Sequence, residues 1–352
     1  MSSMFEVRHK MVQKSKWIGG FAPGDPVKEV VRRALEGRLR LVWHYLPRAA
    51  HGSPEQVENV HQLRVSTRRA MAALNIFDTV LPPRRALWFS KQLKRVRRAA
   101  GHARDLDVFS ARIVKLSETS GDSARYASFL KYLSECRQQA QAPIEAICAK
   151  LRDKDYEQRV SKLVKRVRSR GKSDAAHPGT YANAARRSLR PIVEDFFTAA
   201  AGNLHDYAAL HAFRIIGKEL RYAMEIFAGA FPAWFKKELY PNVVALQEKL
   251  GEINDHATAQ GHLGRWLLEL DEPDTMSVLQ ELMTSEQHAL EASRGVFLEW
   301  WNRERSDALR RDFARALAGE SSPAAGNGAL AGRGNSAEHE AAPGPAPSDQ
   351  GN

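Results

Sequence analysis

His61, Arg64 and Arg68 step by three and four, so on a helix one imidazole and two guanidinium groups share a narrow face. Arginine engages phosphoryl oxygens in pairs through a planar fork of donors, and lysine supplies a mobile point charge. Histidine adds a donor that is charged when an adjacent anion holds its proton. The pattern returns as His211, Arg214, Lys218 and Arg221. Lys91, Lys94, Arg95, Arg98 and His102 share one side of another segment, followed by Arg104, while Arg33 with Arg40 and Arg186 with Arg190 add cations at helical spacing. Such faces suit a string of phosphates.

Between Val60 and Arg104 eleven basic residues face the single acid Asp78. Like charges three or four apart on a helix repel by a few tenths of a kcal/mol per pair, so solvated helices normally mix both signs. A solvated basic face would account for one such helix. Equivalent faces repeated at a fixed spacing favour a bound polyanion. Trp88, Phe89 and Phe77 fall on or near apolar faces rather than among the cations, which leaves little support for base stacking and makes nucleic acid an unlikely partner.

The elements that carry these faces are helical. Leu63, Thr67, Ala70, Leu74 and Phe77 form one apolar stripe, Phe213, Gly217, Leu220, Met224 and Phe227 a second, and Phe89, Leu93, Val96 and Ala100 a third. Alternating strand-like runs are absent, and Pro and Gly cluster at breaks near 47–54, 81–84, 119–122, 171–179, 229–232 and 271–273. The expected class is all-α.

Setting VHQLRVSTRRAMAALNIF, from Val60, over LHAFRIIGKELRYAMEIF, from Leu210, gives an offset of 150. It pairs His61 with His211, Arg64 with Arg214, Arg68 with Lys218 and Phe77 with Phe227. Without a gap it reaches Pro82 and Pro232, Gly101 and Gly251, and Asp105 and Asp255; backwards it pairs Arg40 with Arg190. This register predicts an internal duplication: two pseudo-twofold-related four-helix bundles, 26–168 and 181–317, joined by a linker at 169–180. Residues 1–25 read as a mobile lead-in, and 318–352, rich in Ala, Gly, Pro and Ser, as a disordered tail.

Each Gly four residues before an Asp predicts a close helix approach or a helix end. There Asp105 and Asp255 would cap a following helix or hold an arginine. The alternative is a metal site using Asp105, Asp107, Asp255 and His256, which would make the protein a metal-dependent phosphoryl hydrolase or transferase. No P-loop, GxSxG or HExxH is present, and no cofactor or metal is expected.

The 352 residues carry 53 Lys and Arg against 41 Asp and Glu, a net charge of +12, which favours an anionic partner. Cys136 and Cys148 lack metal or redox spacing and read as free thiols. With no apolar run of membrane-spanning length and no secretory signal, the expected location is the cytoplasm, with no membrane partner.

VHQLRVSTRR, LKRVRRAAGHARDLDVF, LHAFRIIGKELRYAMEIF and LQEKLGEINDHATA, in that order, resemble the CHAD family, the conserved histidine α-helical domain. The resemblance spans nearly all of residues 26–317. It implies two four-helix bundles about an approximate twofold axis, a basic groove or pore that binds inorganic polyphosphate without catalysis, and residence on polyphosphate granules with their associated proteins. The family pattern carries His61, Arg64, Arg68, Arg98 and Arg104 from the first half, and His211, Arg214, Lys218 and Arg221 from the second. Glu252 and Asn254 depart from it, standing opposite His102 and Arg104. The ExExK signature of the triphosphate-processing CYTH domain, which many relatives carry, is absent, implying a stand-alone binding module.

Overall fold

The computed structural model describes residues 15–51, 56–167 and 179–320. Among these the chain is helical throughout, with no extended strand. The first half comprises α1 (Val27–Ala50), α2 (Gln56–Ile76), α3 (Pro83–Ser120), α4 (Ser123–Gln139), α5 (Ala142–Asp153) and α6 (Tyr156–Val164). The second comprises α7 (Tyr181–Ala200), α8 (Tyr207–Phe227), α9 (Tyr240–Glu269), α10 (Pro273–Trp300) and α11 (Arg303–Ala318).

Element boundaries recur at the sequence offset. The 3₁₀ turn Asp78–Val80 lies 150 residues before its counterpart Ala228–Ala230, each followed by a proline that opens the next helical segment. The fourth helical stretch departs from the expectation of one helix per half. In the first half it divides into α4, α5 and α6. Pro143 in the first turn of α5 denies that stretch one backbone donor, and Asp155 turns the chain through a positive φ of 49°. Ser293 stands opposite Pro143, and α10 runs through that point unbroken.

All three apolar stripes are buried: Leu63, Thr67 and Ala70 are fully covered in α2, as are Phe213, Leu220 and Met224 in α8 and Leu93 and Ala100 in α3. Fully burying such a side chain contributes about 1.5–3 kcal/mol. At Gly217 a Cβ would come within 2.2 Å of Gln247 Nε2, so the bare backbone of α8 leaves the room that the Gln247 amide of α9 occupies.

Equivalent elements meet between the halves: α2 packs on α8, α4 on α10 and α1 on α7. The offset-related Phe77 and Phe227 rings meet edge to face at 5.9 Å. Helices that the offset of 150 makes counterparts thus lie against each other. The buried Glu225 carboxylate, 1% exposed, ties the halves together by accepting from Arg69 Nε at 2.8 Å and from Tyr240 Oη at 3.0 Å.

The lead-in is not free over residues 15–25. Ile18 N donates to Glu225 O, the Trp17 ring lies 4.6 Å from that of Tyr240, and Arg38 donates to Lys16 O. At the proposed linker, Gly179 O accepts from Val27 N and Thr180 caps α7. Residues 1–14, 168–178 and 321–352, which include the rest of the lead-in, most of the linker and nearly all of the tail, lie outside the described residues.

Candidate functional site

The packing of α2 on α8 brings together the two cationic faces that their helical spacing defined. Arg64 and Arg68 come from α2, and Arg214, Lys218 and Arg221 from α8. Arg68 acts electrostatically on Arg214 and on Lys218 and is itself acted on by Arg221, so cations of both halves share one seam. His61 lies at one end of it, within reach of Arg104 of α3.

The cluster is only partly neutralised. Arg64 Nη1 donates to Asp105 Oδ1 at 2.8 Å and to Gly101 O at 2.6 Å. Arg221 faces inward, with its guanidinium 4.9 Å from the Tyr222 ring centre and 3.9 Å from the Glu225 carboxylate. Arg68, Arg214 and Lys218 have no ion pair or hydrogen bond among the described residues, and Nε of both arginines is buried without a partner.

The local field follows from that arrangement. Burial, reinforced by Arg214 and Arg68 and opposed by Asp255, pulls the Lys218 ammonium down to about 7. Burial lowers Arg214 and Arg68 as well, and Arg68 is lowered further by Arg64, Arg221 and Arg69. For Arg221 burial is outweighed by Tyr222, Glu225 and Tyr240, and its pKa rises. Burial, then Arg104, Arg68 and Arg64, lower His61, so without an anion it is a neutral imidazole rather than a charged donor. His211 lies on the same helix as Arg214, its ring 6.3 Å from that of Tyr207.

Other cations picked out by spacing stand elsewhere. Arg33 is exposed on α1 over Phe21, and Arg40 is paired with Glu36 at 2.9 Å. Arg190 is exposed on α7 beside a groove of about 290 Å³ that Glu194, Phe197 and Arg310 also line. None of the three joins the seam. Lys91, Lys94, Arg95 and Arg98 stand exposed along α3 without an acid partner among the described residues.

Asp105 and Asp255 cap no helix, because α3 and α9 run unbroken through Gly101 and Gly251. Neither glycine marks a close helix approach: a Cβ at Gly101 would make only ordinary contact with Arg64 Nη1 at 3.7 Å, and one at Gly251 would meet nothing within 4 Å. Asp105 holds Arg64, Asp107 accepts from Arg137 Nε at 2.6 Å, and His256 Nδ1 lies 2.7 Å from Glu286. Among the described residues no three His, Cys, Asp or Glu side chains gather in metal-binding geometry. Sequence spacing missed Tyr222 and Arg69. Tyr222 accepts a hydrogen bond from Arg221 Nη2 through its hydroxyl and lies under that guanidinium. Arg69 follows Arg68 directly but turns into the interface to meet Glu225.

Fold and seam together define an all-helical protein with partly uncompensated cations between its two halves. The chain belongs to the CHAD family, matching the CHAD domain over residues 33–264, and this family is associated with polyphosphate binding or metabolism. It is 26% identical over 247 residues to MT2285, an uncharacterized protein of Mycobacterium tuberculosis, and to the same degree to Rv2226 of another strain. That alignment takes in 68% of this chain and 45% of either relative, so the chain spans less than half their length. Among solved structures it is similar to the CHAD domain of the plant Ricinus communis, with a TM-score of 0.61, 22% identity, and coverage of 85% of this chain and 96% of that one. PptA from Streptomyces chartreusis gives a TM-score of 0.59 and 18% identity over 79% and 99%. These two likenesses show the fold. No helix among the described residues is long and apolar enough to cross a membrane.

Proposed function

We propose that the protein binds inorganic polyphosphate, without turning it over, at the seam between α2 and α8, and that this attaches it to polyphosphate granules and their associated proteins in the cytoplasm. The observation that carries this reading is the gathering of Arg68, Arg214 and Lys218 from both halves with no acid partner among the described residues. Gathered like charges cost the empty protein free energy, and a flexible anion with one charge per unit relieves that cost. Membership of the CHAD family supports the choice of polyphosphate over other anions. Binding without catalysis is supported by Asp105 and Asp107, whose carboxylates are already engaged by Arg64 and Arg137.

The test is titration of the purified protein with polyphosphate in rising salt, alongside the variant R68A/R214A/K218A. Affinity should fall with a log-log slope of about 0.7 per phosphate contact, and the variant should lose binding while keeping its helical spectrum. Unchanged binding in the variant removes the site. Displacement by short RNA at equal phosphate concentration removes selectivity for polyphosphate. Release of phosphate with magnesium or manganese that depends on Asp105 or Asp255 removes the non-enzymatic reading.

A further inference from the structure

Lys91, Lys94 or Arg95, Arg98, Gly101 and Asp105 recur by three and four on α3 and therefore share one face of it. Gly101 and Asp105 are the two positions that Arg64 grips, so this cationic face leads away from the seam without a break. The direction follows from the pairing of the helices. The two helices pack on each other and are joined by the short turn through Asp78–Val80, so α2 and α3 run antiparallel, with Arg64 reaching Gly101 and Asp105. Arg68, one turn after Arg64, then stands level with the turn of α3 that carries Arg98. From Arg98 to Lys91 the face continues for about 10 Å, at 1.5 Å per residue.

The second half does not repeat it. Opposite Lys91, Lys94, Arg95 and Arg98 stand Pro241, Val244, Ala245 and Glu248 on α9. Three are uncharged and the fourth is an exposed acid. A polyanion leaving the seam meets free cations along α3 and a carboxylate along α9.

Resting on the polyphosphate reading above, we infer that the seam is one end of an asymmetric track: a chain too long for the seam runs out along Lys91, Lys94, Arg95 and Arg98 of α3 and not along α9. Short chains fill the seam alone. Long chains gain the added contacts as intramolecular ones, and the protein prefers them for that reason.

The experiment titrates the full chain with inorganic tripolyphosphate and with a long-chain polyphosphate, expressing affinity per polymer chain. The variant K91A/K94A/R95A is compared with K150A/K154A/K165A, which removes the same charge from the exposed end of the first half. The α3 variant is expected to bind the long chain about tenfold or more weaker, with a shallower salt slope, and to bind tripolyphosphate like the parent. The control variant is expected to bind both like the parent. Equal weakening toward both probes in the α3 variant, no weakening toward the long chain, or the same loss in the control overturns the track. Should the parent bind neither probe, the failure lies with the seam itself, and the track falls with it.

Discussion

Arg64 is closed onto Asp105 at 2.8 Å, whereas the offset-related Arg214 and Asp255 feel each other's charge but form no ion pair. One pair of positions therefore has two states in one chain. In the first half the carboxylate neutralises the arginine, and in the second it only moderates a cluster left free for a ligand. Asp105→Asn should release Arg64 into the seam and strengthen polyphosphate binding severalfold. Because both partners of that pair are partly exposed, the cost in stability should be about 0.2–1 kcal/mol. Parallel polyphosphate titration and urea unfolding check both numbers, and weaker binding in Asp105→Asn would mean that Arg64 needs Asp105 to hold its aim.

Removing the free cations should separate function from stability. Arg68, Arg214 and Lys218 repel one another without an acid partner among the described residues, so R68A/R214A/K218A should melt at or above the temperature of the parent while losing its ligand. Thermal melts followed by circular dichroism, with and without polyphosphate, read this directly. Polyphosphate should raise the melting temperature of the parent alone. A variant that melts well below the parent would show that these side chains pack more than they repel.

The parts legible in the sequence were those that depend on local periodicity. The stripe Leu63, Thr67, Ala70 and Leu74 had to be the buried side of α2, because it is the set poor in charge that repeats at 3.6 along the whole helix, and the cations took the side left over. Spacing says which residues share a face but not where the helix points it. That is why Arg33, Arg40 and Arg190, correctly placed on their helices, stand away from the seam. The Glu225 hub was illegible for a second reason. It lies in the apolar run YAMEIF, and its partner Arg69 is 156 residues away, directly beside Arg68 but turned about 100° around the helix.

Glu225 should be a stability determinant separate from the ligand site. Its carboxylate accepts from Arg69 and Tyr240 and lies 4.0 Å from Arg38, whose own guanidinium burial pulls down to about 10. Glu225→Gln keeps the shape and removes the charge, leaving the buried Arg38 and the half-buried Arg69 without compensation. The expected loss is about 3–5 kcal/mol, read as a lower denaturant midpoint with an unchanged slope. A loss below about 1 kcal/mol would mean that water already reaches this cluster.

Ligand binding should take up protons near neutral pH. Lys218 is held at about 7, below the ordinary lysine value of 10.5, first by burial and then by Arg214 and Arg68, with Asp255 of α9 opposing and Arg221 adding to the depression. Between these two values the unfolded chain binds the proton and the folded protein does not, so this residue makes stability rise with pH across that window. A phosphate string in the seam reverses the local field and returns the proton to Lys218, so affinity should strengthen as pH falls from about 8.5 to about 6.5. Calorimetry in buffers of different ionisation enthalpy measures the uptake at fixed pH. Lys218→Met should reduce that uptake and flatten the pH dependence, while still binding through Arg68 and Arg214. Burial, Arg104, Arg68 and Arg64 also depress His61, so any uptake that remains in Lys218→Met should centre below the window of the lysine and vanish in the double variant H61Q/K218M. Uptake undiminished in Lys218→Met would place the titrating group outside the seam.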